Sequence, residues 1–228
     1  MKSNYIHVCF VIDESGSMGG SESDVIGGFK RVIDEQKAIK DGTCSVSLFK
    51  FATDVTEVYI GKDVNEIDYL DGKYAPGGMT AMNDGIGTAI DKIGKWLDAM
   101  KEEEKPEKNL IVVMTDGFEN NSKEYTLEKV KDMIKHQEDK YNWTFMYLGT
   151  DITDATVAKS YGFTNRGYSS KDNVLGNYDV VNLCLSSYRT TVGDCATKAV
   201  AFADTIATAT ADLTEEYEST TGIKVDNN

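Results

Sequence analysis

The sequence has no long apolar run, no paired-cysteine motif and a deficit of basic residues, and each shortage removes a class of function. No stretch approaches the roughly 18 apolar residues that a membrane-spanning helix needs, and the first ten residues carry Lys2, Ser3, Asn4 and His7 where an export signal would need an apolar segment. The expectation is a soluble chain that is not Sec-exported. The four cysteines, Cys9, Cys44, Cys184 and Cys195, show no Cys-x-x-Cys spacing. Cys9 and Cys44 sit inside apolar strand-like runs, where a thiol behaves as a small hydrophobe. This usage fits a reducing, cytoplasmic compartment. Lys and Arg number 24 against 38 Asp and Glu, for a net charge of −14. That charge repels nucleic acid and anionic membrane surfaces, and no basic stripe with interleaved aromatics offsets it, so neither partner is expected. The acids are spread over helix faces, such as Asp34 with Glu35 and Glu215 with Glu216 and Glu218, as solvated faces are.

Catalytic and nucleotide motifs are also missing. Neither Gly-x-Gly-x-x-Gly nor Gly-x-x-x-x-Gly-Lys-Ser/Thr occurs, and Gly16-Ser17-Met18-Gly19 lacks the spacing of a serine-hydrolase elbow. A phosphotransferase that used Asp13 as nucleophile would want a second carboxylate two residues on, where Ser15 stands. The expectation is a protein that is not an enzyme.

What is present is a regular alternation. Short apolar runs (Ile6 to Ile12, Cys44 to Phe51, Val55 to Ile60, Leu110 to Thr115, Trp143 to Gly149, Phe163 to Tyr168) read as strands. Between them, stripes at helical spacing (Val25 to Ile33, Ile86 to Met100, Leu127 to Ile134, Ala155 to Tyr161) read as helices. Alternation of this kind predicts an α/β fold: a doubly wound, mostly parallel six-stranded sheet with helices on both faces and a hairpin at one edge. Past residue 170 the pattern is helical only. A shorter helix lies around Val180 to Tyr188 and a long one is striped by Ala199, Phe202, Ile206, Leu213 and Tyr217, with a frayed tail from Val225. We therefore divide the chain into a domain over 1–170 and a C-terminal helical extension over 171–228, packed on the domain or used for assembly.

Asp13-Glu14-Ser15-Gly16-Ser17 ends the first strand. One carboxylate and two hydroxyls carried out of a strand's C-terminal end stand where open α/β sheets bind ligands. Such a loop is half of a metal site, and other strand ends supply the rest. Gly77-Gly78-Met79-Thr80 brings a hydroxyl to the start of a helix, and Thr115-Asp116-Gly117 ends another strand in a carboxylate. The set Asp13, Ser15, Ser17, Thr80 and Asp116 offers only oxygen donors, which favour Mg²⁺, Mn²⁺ or Ca²⁺ and, without paired Cys or His, argue against zinc. Glu14 should face away, toward solvent or a partner, and Asp151 reads as a turn residue. His7 and His136 read as structural or exposed, and Met18, Met79 and Met82 as a rim or as core.

In this order and spacing, the five residues resemble the metal-ion-dependent adhesion site of von Willebrand factor A domains, over roughly residues 5 to 170. The resemblance implies a Rossmann-like fold in which Ser15 and Ser17 hold the ion directly. Thr80 would do so directly or through water, with Asp13 and Asp116 behind them. It also implies a function: a protein-binding module whose incompletely neutralised ion captures an Asp or Glu of a partner protein. The Asp-x-Ser-Gly-Ser-Met form resembles the prokaryotic and phage intracellular branch, cytoplasmic or virion-associated. The alternative is a structural subunit that self-associates through the C-terminal helices, and the sequence leaves the oligomeric state open.

Overall fold

The computed structural model describes residues 1–70, 72–151 and 156–225. Its centre is β1 (Lys2–Asp13), flanked by β2 (Thr43–Phe51) on one side and β4 (Pro106–Thr115) on the other, both parallel to it. β3 (Val55–Asp63) turns back antiparallel at one edge, and β5 (Thr144–Thr150) and β6 (Asn165–Ser169) extend the other. The six strands run in the order β3-β2-β1-β4-β5-β6. The expected mixed sheet with an edge hairpin is therefore the observed one.

Side chains alternate across each strand, so one strand serves two cores. Ile6, Val8, Phe10 and Ile12 of β1 face one layer, while Cys9 and Val11 face the other. The first layer is closed by α1 (Glu22–Ala38), α5 (Val174–Thr190) and α6 (Cys195–Thr221); the second by α2 (Met82–Asp98), α3 (Leu127–Tyr141) and α4 (Thr156–Ser160). Near-continuous apolar strands follow directly, because a parallel sheet covered on both faces has no solvent side.

The C-terminal helices are part of this closure. Tyr178, Val181 and Leu185 of α5 and Phe202, Ile206 and Leu213 of α6 join Phe10, Val112 and Leu148 in a single apolar cluster. At about 1.5–3 kcal/mol for each fully buried large side chain, their contribution rivals the net stability of a domain. α1 and α5 approach closely enough that a Cβ on Gly28 would lie 2.3 Å from the Tyr178 ring. Asp194 caps α6 by accepting from the Thr197 N–H at 2.9 Å, and Thr126 caps α3 through the Lys129 N–H at 3.2 Å.

One expectation changes. The tail does not fray at Val225, which is buried in the second layer with Tyr217 and donates its N–H to Glu218 Oε1 at 2.8 Å, because an apolar residue just past the helix gains by joining the core. Met18 and Met82 are core residues, and of the three methionines only Met79 is exposed. The helix expected from Ala155 is α4, and Ala155 itself lies outside the described residues. No helix among the described residues is long and apolar enough to cross a membrane.

Candidate metal centre

In this strand order the connections run one way from β1 through β2 and the other way from β4 onward, so the crevice between the ends of β1 and β4 is a topological switch point. The register pairs Ile12 with Met114, which sets the next residues, Asp13 and Thr115, side by side. The Thr115 hydroxyl donates to Asp13 Oδ2 at 2.5 Å, and the Ser15 N–H donates to Asp13 Oδ1 at 2.7 Å. One fully buried carboxylate thereby fixes both the strand end and the first bend of the loop. Tyr74 adds a third tie, its hydroxyl donating to the Asp13 carbonyl at 2.6 Å.

The hydroxyls follow. Ser15 Oγ and Ser17 Oγ are 3.0 Å apart, and Ser17 donates to Asp116 Oδ1 at 2.5 Å across the crevice. The Gly16 N–H donates to the Gly78 carbonyl at 3.2 Å, docking the serine loop on the Gly77-Gly78 turn. Gly78 has φ +81°, and a Cβ there would also meet Thr53 Oγ1 at 2.4 Å, so this position requires glycine.

Thr80 is held through its main chain, whose N–H donates to Asn120 Oδ1 at 2.9 Å and whose carbonyl accepts from the Asn120 N–H at 3.0 Å. Its hydroxyl is not used as a helix cap. Ala81 occupies that position, and the loop after β4 satisfies the helix start instead: Glu119 Oε2 accepts from the Asn83 N–H and Ser122 Oγ from the Asp84 N–H. The Thr80 hydroxyl is thus spared for the crevice.

All five expected site residues come together here. A Cβ built on Gly117 would lie 3.3 Å from Thr80 Oγ1, 3.4 Å from Ser17 Oγ and 3.6 Å from Asp13 Oδ2. Three oxygens from two segments, the end of β1 with its following loop and the turn before α2, therefore lie within 3.6 Å of one point beside Gly117. Burial pushes the Asp13 carboxyl up to about 6 against the pull of its Thr115 and Ser15 hydrogen bonds, and the Asp116 charge adds to the rise. The Asp116 side chain is only 1 % exposed, and its Oδ2 makes no aligned hydrogen bond; the Lys171 ammonium lies 3.2 Å from it. Two buried carboxylates, one reluctant to ionise and one incompletely satisfied, beside hydroxyl oxygens are a donor set that fits a divalent cation.

Glu14 departs from expectation. Alternation does turn it away from the crevice, but its side chain is only 16 % exposed and is engaged within the chain. Lys50 Nζ binds Glu14 Oε1 at 2.7 Å and the Ala75 N–H donates to the same oxygen at 2.8 Å, because a buried lysine next to β1 needs a counter-charge. Asp151 is a turn residue, with φ +49°, and its Oδ1 accepts from the Lys171 N–H at 3.1 Å. His7 is buried and His136 exposed, as expected. Sequence reasoning passed over Thr115, Tyr74, Asn120 and Lys171. Thr115 carried a signal, since it stands beside Asp13 once β1 and β4 are aligned. Lys171 carried none, being 154 residues from the Ser17 carbonyl it contacts.

A profile of the von Willebrand factor type A domain matches residues 7–161, and the chain belongs to that family. Domains of this family typically act in protein interaction and often hold a divalent metal at the adhesion-site motif. No curated protein matches the sequence. Among solved structures, the von Willebrand domain of the type V pili tip protein Mfa5 from Porphyromonas gingivalis superposes with TM-score 0.61 at 12% identity, covering 85% of this chain and 99% of that one. Proximal thread matrix protein 1 from the mussel byssus, with a zinc-occupied adhesion-site motif, gives TM-score 0.55 at 18% identity, over 80% of this chain and 46% of that one. A von Willebrand factor type A protein from Catenulispora acidiphila gives 0.50 at 16%, over 91% and 43%. The chain spans less than half the length of the last two, and at these identities the likeness is one of fold.

Proposed function

We propose that this chain is a divalent-metal-dependent protein-binding module, not an enzyme, that captures an Asp or Glu side chain of a partner. The observation that carries the reading is the convergence of Ser17 Oγ, Thr80 Oγ1 and Asp13 Oδ2, all within 3.6 Å of one point beside Gly117. Ser15, Ser17 and Thr80 would hold the ion, with Asp13 and Asp116 supporting them from behind. When bound, the ion supplies a positive centre with an open position for a carboxylate oxygen. The chain's own residues prepare that position. Asp13 fixes the serine loop through the Ser15 N–H, and Asp116 accepts the Ser17 hydroxyl's hydrogen bond, which leaves that oxygen's lone pairs free. Because most of the direct ligands are neutral, the ion's charge stays largely uncompensated.

Mg²⁺ or Mn²⁺ is the ion we favour, from the hardness of the oxygens. Zinc in the mussel protein shows that a site of this type admits a softer ion, so the lack of Cys and His ligands does not exclude it. A reducing, cytoplasmic setting is part of the proposal. The test is calorimetric titration with Mg²⁺, Mn²⁺, Ca²⁺ and Zn²⁺, followed by water-proton relaxation of the Mn²⁺-loaded protein with acetate as the simplest carboxylate. We expect one ion per chain and displacement of bound water by acetate, with ion binding lost in Ser15→Ala. Absence of saturable binding by all four ions overturns the reading.

A second reading, self-assembly through the C-terminal helices, is favoured by exposed Leu183 on α5, Val192 between α5 and α6, and Val200 on α6. Light scattering after size exclusion decides between a monomer and an assembly.

A further inference from the structure

Lys171 lies at the metal centre although no motif calls for it. It follows β6 in a short turn of helix (Lys171–Asn173), and its main chain is fixed there by Asp151, whose own N–H donates to the Ser169 carbonyl at 2.8 Å. From that anchor the side chain reaches over the crevice. Its ammonium donates to the Ser17 carbonyl at 2.9 Å and lies 3.2 Å from Asp116 Oδ2, the carboxylate oxygen without an aligned hydrogen bond.

We propose that Lys171 is a tethered counter-ion that competes with the divalent cation for Asp116 and so sets the metal concentration at which the site fills. The inference rests on the metal-binding reading above. A carboxylate that is 1 % exposed cannot stand unpaired without a large desolvation cost, and the ammonium relieves it. A cation held by Ser17 and Thr80 would take the same carboxylate into its support and would repel an ammonium a few ångströms away. Lys171 can yield, because its side chain is 42 % exposed and its flexible stem can swing the charge into water without unfolding anything. The apparent metal affinity is then the intrinsic one multiplied by the fraction of molecules in which the ammonium is undocked.

The test compares wild type with Lys171→Met and Lys171→Arg in Mg²⁺ titrations and in melting curves with EDTA. Lys171→Met keeps the stem and removes the charge. It should bind Mg²⁺ about 3- to 10-fold more tightly, a gain of about 0.7 to 1.4 kcal/mol, yet melt lower than wild type in EDTA. Lys171→Arg should keep the wild-type affinity within about twofold, which a purely steric role for the stem would not require. If wild type binds Mg²⁺ and Lys171→Met binds it equally or more weakly, the counter-ion inference is overturned and the metal reading stands. If none of the three proteins binds Mg²⁺ or Mn²⁺, both fall.

Discussion

β1 supports two clusters of polar side chains, one in the middle of the sheet around His7 and one at its C-terminal end around Asp13. Both use serine hydroxyls, and both are built on a buried titratable side chain, His7 in one and Asp13 in the other. Around His7 every ring nitrogen is engaged: Nδ1 with Ser45 Oγ at 2.8 Å and Nε2 with Ser47 Oγ at 3.1 Å. The same serines also accept from the Tyr5 hydroxyl and the Gly61 N–H, each at 2.8 Å, and the Trp96 ring lies 4.7 Å from the imidazole. Nothing there is left to bind a ligand. At the Asp13 end the ties are as short but the cluster stays open, with Asp116 Oδ2 lacking an aligned bond and the Thr80 hydroxyl facing the space beside Gly117. A closed network specifies a fold; an incompletely satisfied one at the ends of central strands leaves room for a ligand.

The largest effect should come from removing what the two clusters share. Deleting residues from Asp172 onward takes away α5 and α6 and leaves Phe10, Val112 and Leu148 without their cover. We expect no cooperative thermal transition and aggregation on expression. A soluble, metal-binding monomer from the truncated chain would show instead that the first 171 residues fold by themselves.

The two clusters should next separate by the sign of their pH response. Burial lowers His7 to about 3, so the unfolded chain takes up a proton that the folded one refuses. Its contribution is present above about 6.5 and is lost as the pH falls toward 3, by up to about 5 kcal/mol. Asp13 is raised to about 6, so its contribution is present below about 3.8 and is lost as the pH rises through 6, by up to about 3 kcal/mol. In metal-free protein, urea midpoints between pH 4 and 6 should fall with rising pH in His7→Leu, where Asp13 acts alone, and rise in Asp13→Asn, where His7 acts alone, while wild type, in which the two oppose, should change least. Parallel profiles for the two variants would erase the distinction.

A ligand at 100 times its dissociation constant adds about 2.7 kcal/mol, so saturating Mg²⁺ should raise the melting temperature by roughly 5–10 °C. His7→Leu should retain the increment and Ser15→Ala should lose it, with far-UV circular dichroism in EDTA unchanged for wild type. Unfolding on chelation would make the open cluster as structural as the closed one.

The smallest change in stability belongs to Asp116→Asn. The amide oxygen can still accept from Ser17, and a like charge near Asp13 disappears, so metal-free stability should move by less than about 1 kcal/mol. Mg²⁺ affinity should nevertheless fall about 10- to 100-fold, as it does when a group behind a metal ligand is removed. A retained affinity would show that the carboxylate serves only Lys171.

Most of the candidate metal centre was legible because its residues lie at turns and ends of strands that announce themselves. Asp13 and Asp116 each close an apolar run, and Gly77-Gly78 before Thr80 marks a turn. Residues that support these from elsewhere were not legible. Asn120 looks like any loop asparagine until its amide oxygen is found against Thr80, and Tyr74 is one of 12 tyrosines until its hydroxyl reaches the Asp13 carbonyl. Glu14 misled for a similar reason: the alternation that turns it from the crevice says nothing of Lys50, its partner on the neighbouring strand.

By itself the sequence determined the number and kind of elements and the five oxygen-bearing residues at their ends, because periodicity and turn chemistry act over a few residues at a time. Only the tertiary structure decided that α5 and α6 close the same face as α1, that Val225 joins the second layer, and that Lys171 faces Asp116. An apolar stripe records that a face must be covered, not what covers it. Strand order and register bring distant groups within a hydrogen bond's length, and no local pattern carries that information.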